Sequence, residues 1–514
     1  MPNIIFFMLD QLSAKWLEAA MGGVCATPNF DRLRARGTTF TNAISSNPLC
    51  TPARATLATG LTSRQHGALQ NGYCLDPSIP TFMRALQGGG WRTGAFGKVH
   101  LHPQAAGGDD RVQDRGFDVA HITEDPRSGE WLEWIEREHP AHYEAALATI
   151  WGWSHPRFRQ YGPGKIDLGE RIRRLRESFD WTSPEVPDAT QLFYALPFPE
   201  PLSQSAWITR QAIEFLRQTD PAAPLYAHVS YVQPHAPFCA PAECFADVDP
   251  ARIPEPIDPT WIDDPLRPAG FCDDHRIFPE RPAHWRQLRH CYFADIVHLD
   301  RQLGLLTDAI AQAGRAENTY LILLADHGEM LLDHGFRGKG NRHYDACVRV
   351  PLIVAGPGIA AGATCERFVQ LEDLFPTVLE MAGLAPPAAK VAGRNLKEHP
   401  DVLPGRSLLP LCRGESPEAW REEAYVESYS DVTNALPIHW ARTVRTARYR
   451  YTCYAAGGGE QLFDLSADPD ETVNLAAAAS HRRVRRDLRD RLMERIILQD
   501  YPHPPRGLFA HGAS

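Results

Sequence analysis

The stretch NIIFFML, residues 3–9, is a continuous apolar run that ends directly at Asp10 and Gln11. A run of this length without polar alternation is typical of a strand that is buried on both faces of a parallel sheet. Later runs of the same kind are LYAHVSYV at 225–232, TYLILLAD at 319–326 and VPLIVAG at 350–356. These four runs predict the strands of one buried sheet.

Helical segments lie between these strands. Apolar residues at helical spacing predict amphipathic helices at 27–37, 80–90, 203–218 and 291–314. The segment WRTGAFG at 91–97 is predicted as a further strand. Strands that alternate with helices in this way predict an α/β fold with helices on both faces of the sheet.

The chain has 514 residues, which is more than one hydrophobic core usually serves, so we expect two domains. We predict a large α/β domain over residues 1–400 and a small domain of antiparallel sheet plus helix, with a tail, over 401–514. Two insertions, at about 103–200 and 240–285, are predicted to be long loops over one end of the sheet, where substrate selection usually lies. A Pro-, Ala- and Gly-rich segment at about 385–415 is predicted as a linker.

Composition excludes several classes of protein. The formal net charge of −10 argues against a general nucleic-acid binder, and the basic run RIRRLRES at 171–178 is interpreted as a solvated helix face. The apolar runs are strand-sized, so no membrane association is predicted. No signal peptide is visible after Met1, and the odd count of 11 cysteines shows no disulfide framework. A cytoplasmic location is the resulting expectation.

The stretch NPLCTPARATLATG, residues 47–60, predicts a helix that begins at or just after Cys50. Pro52 suits an early helical position and Gly60 suits the stop. A helix N-terminus favours anions and lowers the pKa of a thiol. A small buried cysteine on a capped helix is the alternative interpretation of this segment alone.

Polar residues follow four of the predicted strands. If the strands are neighbours, these residues converge in the ligand crevice at the carboxyl edge of the sheet, as a metal-plus-anion site. Carboxylates suit Ca²⁺, Mn²⁺ or Mg²⁺, and an amide oxygen and an imidazole nitrogen can complete the set. The residues are Asp10, Gln11, Lys98, His100, His235, Asp326 and His327. Singly, each has a plainer interpretation: a turn or cap for an Asp, a structural role for a His, a surface charge for Lys98. Glu329 and Asp333 are predicted to support the ligands or to be solvated.

With CTPARATLATG at its centre, the chain resembles the sulfatase family of the alkaline phosphatase superfamily. The surrounding segments FFMLDQ, TPNFDRLRARGTTFTNA, PTFMRALQGGGWRTGAFGKVHL, QPHAPF, LLADHGEML, RVPLIVAGPG and LFDLSADPDETVNL occur in the family's order. The resemblance covers most of the chain outside the two insertions. It implies a large mixed, mostly parallel sheet between helices and a smaller C-terminal antiparallel sheet with a helix.

The resemblance also implies a mechanism. Cys50 is converted by a maturation enzyme to Cα-formylglycine, which is hydrated to a geminal diol that attacks the sulfur of a sulfate ester. The resulting hemiacetal sulfate expels sulfate. One divalent metal, Ca²⁺ or Mn²⁺ with Mg²⁺ as a third candidate, is implied. Its ligands by motif are Asp10, Gln11, residue 50, Asp326 and His327.

Further roles are carried over by motif. Arg54 holds the diol and the ligands, Lys98 binds sulfate oxygens, and His100 is the base that collapses the hemiacetal. His235 and Lys339 bind sulfate and assist the leaving oxygen. Thr51, Asn71 and Tyr73 are candidates for lining the substrate pocket. Tryptophans of the first insertion are candidates for an apolar or sugar-stacking wall, and they are Trp131, Trp134, Trp151 and Trp153.

Two departures from the family pattern leave alternatives open. Many sulfatases have Asp-Asp and Asp-Asn where this chain has Asp10-Gln11 and Asp326-His327. These pairs are similar to those of phosphonate monoester hydrolases and choline-sulfatase-type enzymes, and they shift metal preference toward Mn²⁺. The segment GKVH, by contrast, keeps the sulfatase-type Lys98 and His100. We therefore predict hydrolysis of aryl or alkyl sulfate monoesters. The alternatives are phosphonate monoester or phosphodiester hydrolysis, promiscuity for both, and a non-catalytic binding protein.

The predicted partners are a small-molecule sulfate ester and the maturation enzyme. Some relatives with long insertions or tails form dimers or tetramers, so a homo-oligomer is one expectation. The tail YPHPPRGLFAHGAS, residues 501–514, is interpreted as an interface arm or as disordered.

Overall fold

The computed structural model describes residues 1–103 and 112–498, except for 153, 155–157, 160, 162–163, 165, 274–276, 279, 388–389, 392–393, 396–402 and 431–436. The C-terminal tail and Trp153 therefore lie outside the described residues. Within them, no helix is long and apolar enough to cross a membrane. The ten cysteines whose side chains the structure describes are free thiols.

The strands of the large sheet and its surroundings are β1 Asn3–Leu9, β2 Gly37–Phe40, β3 Ala43–Ile44, β4 Arg92–Gly97, β5 Val119–Ile122, β6 Phe193–Ala195, β7 Leu225–Tyr231, β8 Phe238–Ala240, β9 Thr319–Ala325, β10 Leu352–Ala355, β11 Ala363–Cys365 and β12 Val369–Gln370. Toward the C-terminus follow β13 Lys390–Val391, β14 Arg394–Asn395, β15 Glu423–Ser428, β16 Ala441–Thr446, β17 Tyr449–Tyr454 and β18 Glu460–Asp464.

The α-helices are α1 Ala14–Ala19, α2 Pro28–Arg36, α3 Cys50–Thr59, α4 Ser63–His66, α5 Phe82–Gly88, α6 Glu130–Glu138, α7 Tyr143–Thr149, α8 Gly169–Ser178, α9 Gln204–Gln218, α10 Trp285–Gln312, α11 Asp345–Val348, α12 Leu374–Ala382, α13 Leu409–Cys412 and α14 Arg482–Leu498. The helices and strands predicted in the α/β part of the sequence are all present.

The central sheet has eight strands in the order β11-β2-β10-β9-β1-β7-β4-β5. The neighbours of β1 are parallel to it, whereas β10 runs antiparallel to both β9 and β2. The sheet is therefore mixed and mostly parallel, as predicted. Four adjacent strands, β9, β1, β7 and β4, are those whose carboxyl ends carry the polar residues of the predicted site.

Successive residues of β1 show why the strand is apolar throughout. Phe6 packs against Phe82 of α5, with ring centroids 5.5 Å apart, and Phe7 packs against Phe30 of α2 at 6.4 Å. Because neighbouring side chains of a strand point to opposite faces, α5 and α2 lie on opposite faces of the sheet. Every residue of β1 is buried, which confirms the sandwich of helices around the sheet.

The first insertion is not a set of loops, so that prediction is wrong. Residues 119–122 form β5, which pairs in parallel with β4 and extends the central sheet by an edge strand. Helices α6, α7 and α8 also lie in this insertion. The described part of the second insertion holds only short 3₁₀ turns and agrees better with the loop prediction. The basic helix α8 is largely solvated, but its Arg176 is buried and donates to Ala148 O at 2.6 Å.

The C-terminal part contains the predicted antiparallel sheet, in the order β15-β16-β17-β18, with α14 packed on it. Leu408 to Cys412, within the segment predicted as a linker, are packed into the large core or beside it, and Leu408 and Cys412 are fully buried. The division into domains near residue 400 stays a prediction.

A buried histidine predicts acid sensitivity of this fold. His66 accepts from Ala68 N at Nδ1 and contacts Thr56 Oγ1 through Nε2 at 3.1 Å, and burial lowers its pKa to about 3. In the unfolded chain this imidazole takes up a proton near its ordinary pKa of about 6.5, whereas the folded state keeps it neutral. The free energy of unfolding therefore falls as the pH falls below that value. We expect this histidine to lower the free energy of unfolding by about 2 kcal/mol at about pH 5 relative to pH 7. Melting temperatures should therefore fall less between these pH values in His66→Gln than in the wild type. An equal decrease in both proteins would contradict this assignment.

Candidate active site

The pairing of β1 with β9 brings the two metal-ligand candidates of the sequence together. Leu9 is in register with Ala325, so Asp10 and Asp326 leave the sheet side by side. On the other side of β1, Leu9 is in register with Tyr231, and Asp10 N donates to Tyr231 O at 3.2 Å. The prediction that these strands are neighbours is confirmed.

Strand β4 completes the edge and delivers Lys98. Gly97, its last residue, has φ +91°, and a Cβ there would lie 2.0 Å from Ser230 O of β7. The close approach of β4 and β7 therefore requires glycine at this position. Lys98 N donates to the same Ser230 O at 2.9 Å, which fixes the start of the segment that carries Lys98 and His100.

Cys50 is the first residue of α3. Leu49 before it is extended, Pro52 lies in the first turn, and Gly60 ends the helix in the left-handed conformation at φ 69°. Every residue of α3 is buried. The positive end of the helix dipole therefore lies at Cys50, where it favours an anion.

Four donor atoms, with the Cys50 sulfur among them, converge at this helix end. Ligand atoms of Asp10, Cys50, Asp326 and His327 all lie within 4.8 Å of one another, and the four residues are fully buried. His327 Nε2 is 3.3 Å from Cys50 Sγ and 3.6 Å from Asp10 Oδ1 and from Asp326 Oδ1. Two carboxylates, one imidazole and one sulfur or oxygen donor fit a divalent ion.

Gln11 supplies a test of that fit. Its Nε2 donates to Glu329 Oε2, while its Oε1 is buried and has no partner among the described residues. A buried acceptor without a partner is costly in a folded protein and calls for a bound group. Glu329 also accepts from Leu331 N and Gly338 N, so its carboxylate orients Gln11 and is not solvated. The residues present therefore fit a divalent cation.

Arg54 holds the carboxylates of the site. Its Nε donates to Asp326 Oδ2 at 2.8 Å, and its Nη1 donates to Lys98 O at 2.8 Å and to Ser230 Oγ at 3.0 Å. Its Nη2 lies 3.5 Å from Asp10 Oδ2. One buried guanidinium thus contacts the carboxyl ends of four strands, β1, β4, β7 and β9.

Lys98 is fully buried and donates to Asp10 and also to Asp125. Although burial opposes it, the two carboxylates hold the pKa of Lys98 well above its usual value. Sequence analysis missed Asp125, because it lies in the insertion that was read as a loop. The signal was available: the residue follows VAHIT, a short apolar segment of strand type at 119–123.

His100 has its backbone fixed by Glu124. The Glu124 carboxylate accepts from Val99 N at 3.1 Å and from His100 N at 2.9 Å, and His100 has φ 49°. A ring nitrogen of His100, Cys50 Sγ and an Asp125 oxygen lie within 4.8 Å of one another. Burial, reinforced by the charge of Lys98, lowers the pKa of His100 to about 4. The imidazole is therefore neutral near neutral pH.

Lys339 and His235 close the other side of the site. Lys339 Nζ is 2.8 Å from Cys50 Sγ and 3.9 Å from Asp10 Oδ1. Burial and the charge of Lys339 lower the pKa of His235, whose Nδ1 is 2.7 Å from Ala236 O. The His235 ring stacks on Trp151 with centroids 5.9 Å apart.

The charges around Cys50 change the chemistry of its thiol. Burial and Asp10 raise its pKa, but Lys339, Lys98 and His327 outweigh them and bring it to about 7. An anionic atom is thus stabilised at residue 50, as the helix N-terminus also favours. A thiol of this kind is not the inert buried cysteine that the segment alone also allowed.

The substrate-lining candidates fare differently. Thr51 N donates to Asn71 Oδ1 at 3.1 Å, so Asn71 lies at the first turn of α3. Tyr73 is 39% exposed and makes no side-chain contact with the cluster around Cys50 among those described. Of the tryptophans, Trp151 lies against His235, whereas Trp131 is buried in the core and bonds Leu202 O, and Trp134 stacks with Arg210.

An α/β sheet that presents carboxylates, an imidazole, a nucleophile at a helix N-terminus and two lysines defines a class: hydrolases that act on esters of tetrahedral oxyanions with the help of a metal. The sequence matches the sulfatase family over residues 2–384, and this chain belongs to that family of sulfuric ester hydrolases. Residues 333–497 also match the C-terminal family of N-sulphoglucosamine sulphohydrolase.

Curated relatives cover nearly the whole chain. An arylsulfatase of Clostridium perfringens is 25% identical over 94% of this chain and 91% of its own length. A choline-sulfatase of Rhizobium meliloti is 28% identical over 92% of this chain and 82% of its own length. The crystal structure of a phosphonate monoester hydrolase of Agrobacterium radiobacter superposes with a TM-score of 0.76 at 25% identity, and covers 97% of this chain and 96% of the other.

Proposed function

We propose that this protein hydrolyses aryl or alkyl sulfate monoesters to an alcohol and sulfate, with a hydrated formylglycine derived from Cys50 as the nucleophile. The observation that carries the proposal is the surroundings of Cys50 Sγ. Ligand atoms of Asp10, Asp326 and His327 lie within 4.8 Å of it, as does a ring nitrogen of His100. Lys339 Nζ lies 2.8 Å away, and the charges of Lys98 and Lys339 stabilise an anion there.

One group of residues would hold one divalent ion and the nucleophile. Asp10, Gln11, Asp326 and His327 are the proposed ligands together with residue 50, and Arg54 fixes the two carboxylates. The ion, when bound, lowers the pKa of a coordinated hydroxyl and offsets charge on the ester oxygens. An amide oxygen and an imidazole among the ligands favour Mn²⁺ over Ca²⁺ as the proposed ion.

A second group of residues would bind the sulfate and move protons. Lys98, Lys339 and the N-terminal end of α3 are the groups that we propose hold its oxygens, as preorganised donors do in other ester hydrolases. The imidazole of His100 is neutral, because burial lowers its pKa to about 4. It can therefore accept the proton of the hemiacetal hydroxyl, whose removal releases sulfate. His235 is proposed to bind the sulfate and assist the leaving oxygen through Nε2, because its Nδ1 faces Ala236 O and its ring stacks on Trp151; Nε2 can donate to that oxygen only after it takes up a proton.

A second candidate function is phosphonate monoester or phosphodiester hydrolysis at the same site. It is favoured by the likeness to the phosphonate monoester hydrolase structure and by the Asp10-Gln11 and Asp326-His327 pairs. Both kinds of ester present a tetrahedral centre with charged oxygens to the same donors, so one site can serve both.

Kinetics with two aryl esters test the proposal. We expect kcat/KM for para-nitrophenyl sulfate to exceed that for para-nitrophenyl phenylphosphonate by at least about threefold, which corresponds to a small difference in transition-state stabilisation. The enzyme must carry formylglycine at residue 50, so the protein is coexpressed with a formylglycine-generating enzyme. A clear preference for the phosphonate ester would make the second candidate the function. Turnover of neither ester by protein shown to be modified would refute both.

A further inference from the structure

Asp125 is a carboxylate in the site that the proposed mechanism does not use. It follows β5, the edge strand that the first insertion adds to the sheet, and its side chain is 5% exposed. One of its oxygens accepts from Lys98 Nζ and lies within 4.8 Å of Cys50 Sγ and of a His100 ring nitrogen. A negative charge so close to an anion-binding nucleophile needs a reason, because it repels the anion that the site must bind.

The segment around Asp125 is held rigidly. Gln204 Nε2 donates to Thr123 Oγ1 at 2.7 Å and to Glu124 O at 3.2 Å. The buried Arg127, whose backbone N donates to Glu124 O, packs on Cys239 and Tyr194. These contacts hold the backbone on both sides of Asp125, and the hydrogen bond from Lys98 holds its carboxylate in the site.

The effect of the Asp125 charge on substrate binding depends on its partner Lys98. In the structure Lys98 donates to Asp10 and to Asp125. When Asp10 is engaged as a ligand, Asp125 is the carboxylate that still neutralises the Lys98 ammonium. The lysine can then donate a hydrogen bond to a substrate oxygen, but its positive charge is already balanced by Asp125. A second negative charge on the substrate is therefore not compensated by Lys98.

We propose that Asp125 selects the charge of the substrate: it lets singly charged tetrahedral esters bind and disfavours doubly charged phosphate monoesters. The inference rests on the proposed function for its substrate class. A second unit charge about 5 Å from a carboxylate is disfavoured on the order of a hundredfold at the effective dielectric constant of protein sites. Part of this is compensated by solvent and by Lys339, so we expect at least about a tenfold effect.

The first experiment measures kcat/KM for para-nitrophenyl sulfate, a monoanion, and para-nitrophenyl phosphate, a dianion at pH 8. Asp125→Asn keeps an oxygen acceptor for Lys98 and removes the charge. We expect its phosphate-to-sulfate ratio to rise at least about tenfold over the wild type. Asp125→Glu, which keeps the charge, should retain the low wild-type ratio. The control is Asp308→Asn on the exposed face of α10, which should leave both values unchanged.

A change of both substrates by the same factor would mean that Asp125 acts only by positioning Lys98, and an unchanged ratio would mean that its charge plays no part. Either result overturns the proposal.

The second experiment measures binding and does not depend on turnover. In a Cys50→Ala background loaded with Mn²⁺, calorimetry compares the same two esters with and without Asp125→Asn. The phosphate ester should bind at least about fivefold more tightly to the Asn variant, with the sulfate ester changed by less than about twofold. Absence of binding by either ester, or an equal gain for both, overturns the proposal. Failure of the proposed function would give a different result: the wild-type protein would bind the sulfate ester but would not hydrolyse it.

Discussion

Cys50→Ala is expected to abolish ester hydrolysis, and Cys50→Ser should do nearly the same. Both variants remove the aldehyde precursor, and a serine offers only one hydroxyl, which cannot expel the sulfate that it would accept. The loss should reach at least about a thousandfold in kcat, since residue 50 is the nucleophile proposed at the cluster with Asp10, Asp326 and His327. The measurement is the initial rate with para-nitrophenyl sulfate.

Two controls separate this result from loss of fold or of maturation. The melting temperature of Cys50→Ala should lie near that of the wild type, because alanine suits the first turn of a helix. In wild-type protein from a host with the maturation enzyme, the tryptic peptide with residue 50 should be lighter by about 18 Da than its thiol form. Full activity of Cys50→Ala would leave the binding-protein alternative, or a different nucleophile, as the explanation.

Asp326→Asn is expected to cost more than about a hundredfold in affinity for the divalent ion, and a similar or larger factor in kcat/KM. The Asp326 carboxylate accepts from Gln11 N at 3.1 Å, His327 N at 2.9 Å and Arg54 Nε at 2.8 Å. An amide of the same shape removes one negative charge and presents an N–H₂ toward donors. The cation loses a ligand, and Arg54 loses its ion pair.

Metal content by mass spectrometry and activity after chelation are the measurements. Wild-type protein treated with chelator should lose activity and regain it with Mn²⁺ more fully than with Ca²⁺. Asp326→Asn should stay poorly active at Mn²⁺ concentrations that saturate the wild type, whereas Asp308→Asn should behave as the wild type. Retention of a full equivalent of tightly bound metal in Asp326→Asn would argue against this residue as a ligand.

Much of the site could be predicted because its parts are encoded locally. An apolar run that ends in Asp10 or in Asp326 predicts both a buried strand and a carboxylate at the end of that strand. CTPAR states that a cysteine begins a helix. The convergence of these ends follows from the rule that parallel strands share a carboxyl edge, so little tertiary information was needed.

The contacts of Asp125 and Glu329 needed the tertiary structure. The role of Asp125 depends on the pairing of β5 with β4, a contact whose strand is only four residues long and lies in a segment of unusual composition. For Glu329 the sequence left support of the ligands and exposure to solvent as alternatives, and only its hydrogen bond with Gln11 shows that it orients this proposed ligand. The sequence also did not show which candidates line the pocket, since Tyr73 is exposed and Trp131 is buried in the core.

The sequence by itself determined the α/β class, the helix that begins at Cys50 and the set of polar residues at the strand ends, because hydrophobic period and helix-end chemistry are local properties. Only the tertiary structure decided which charges face one another: that Lys98 is shared by Asp10 and Asp125, that Lys339 reaches Cys50 Sγ, and that Gln11 keeps a free acceptor. Electrostatic interactions depend on distance and burial, and residues far apart in the chain acquire both only when the sheet is assembled.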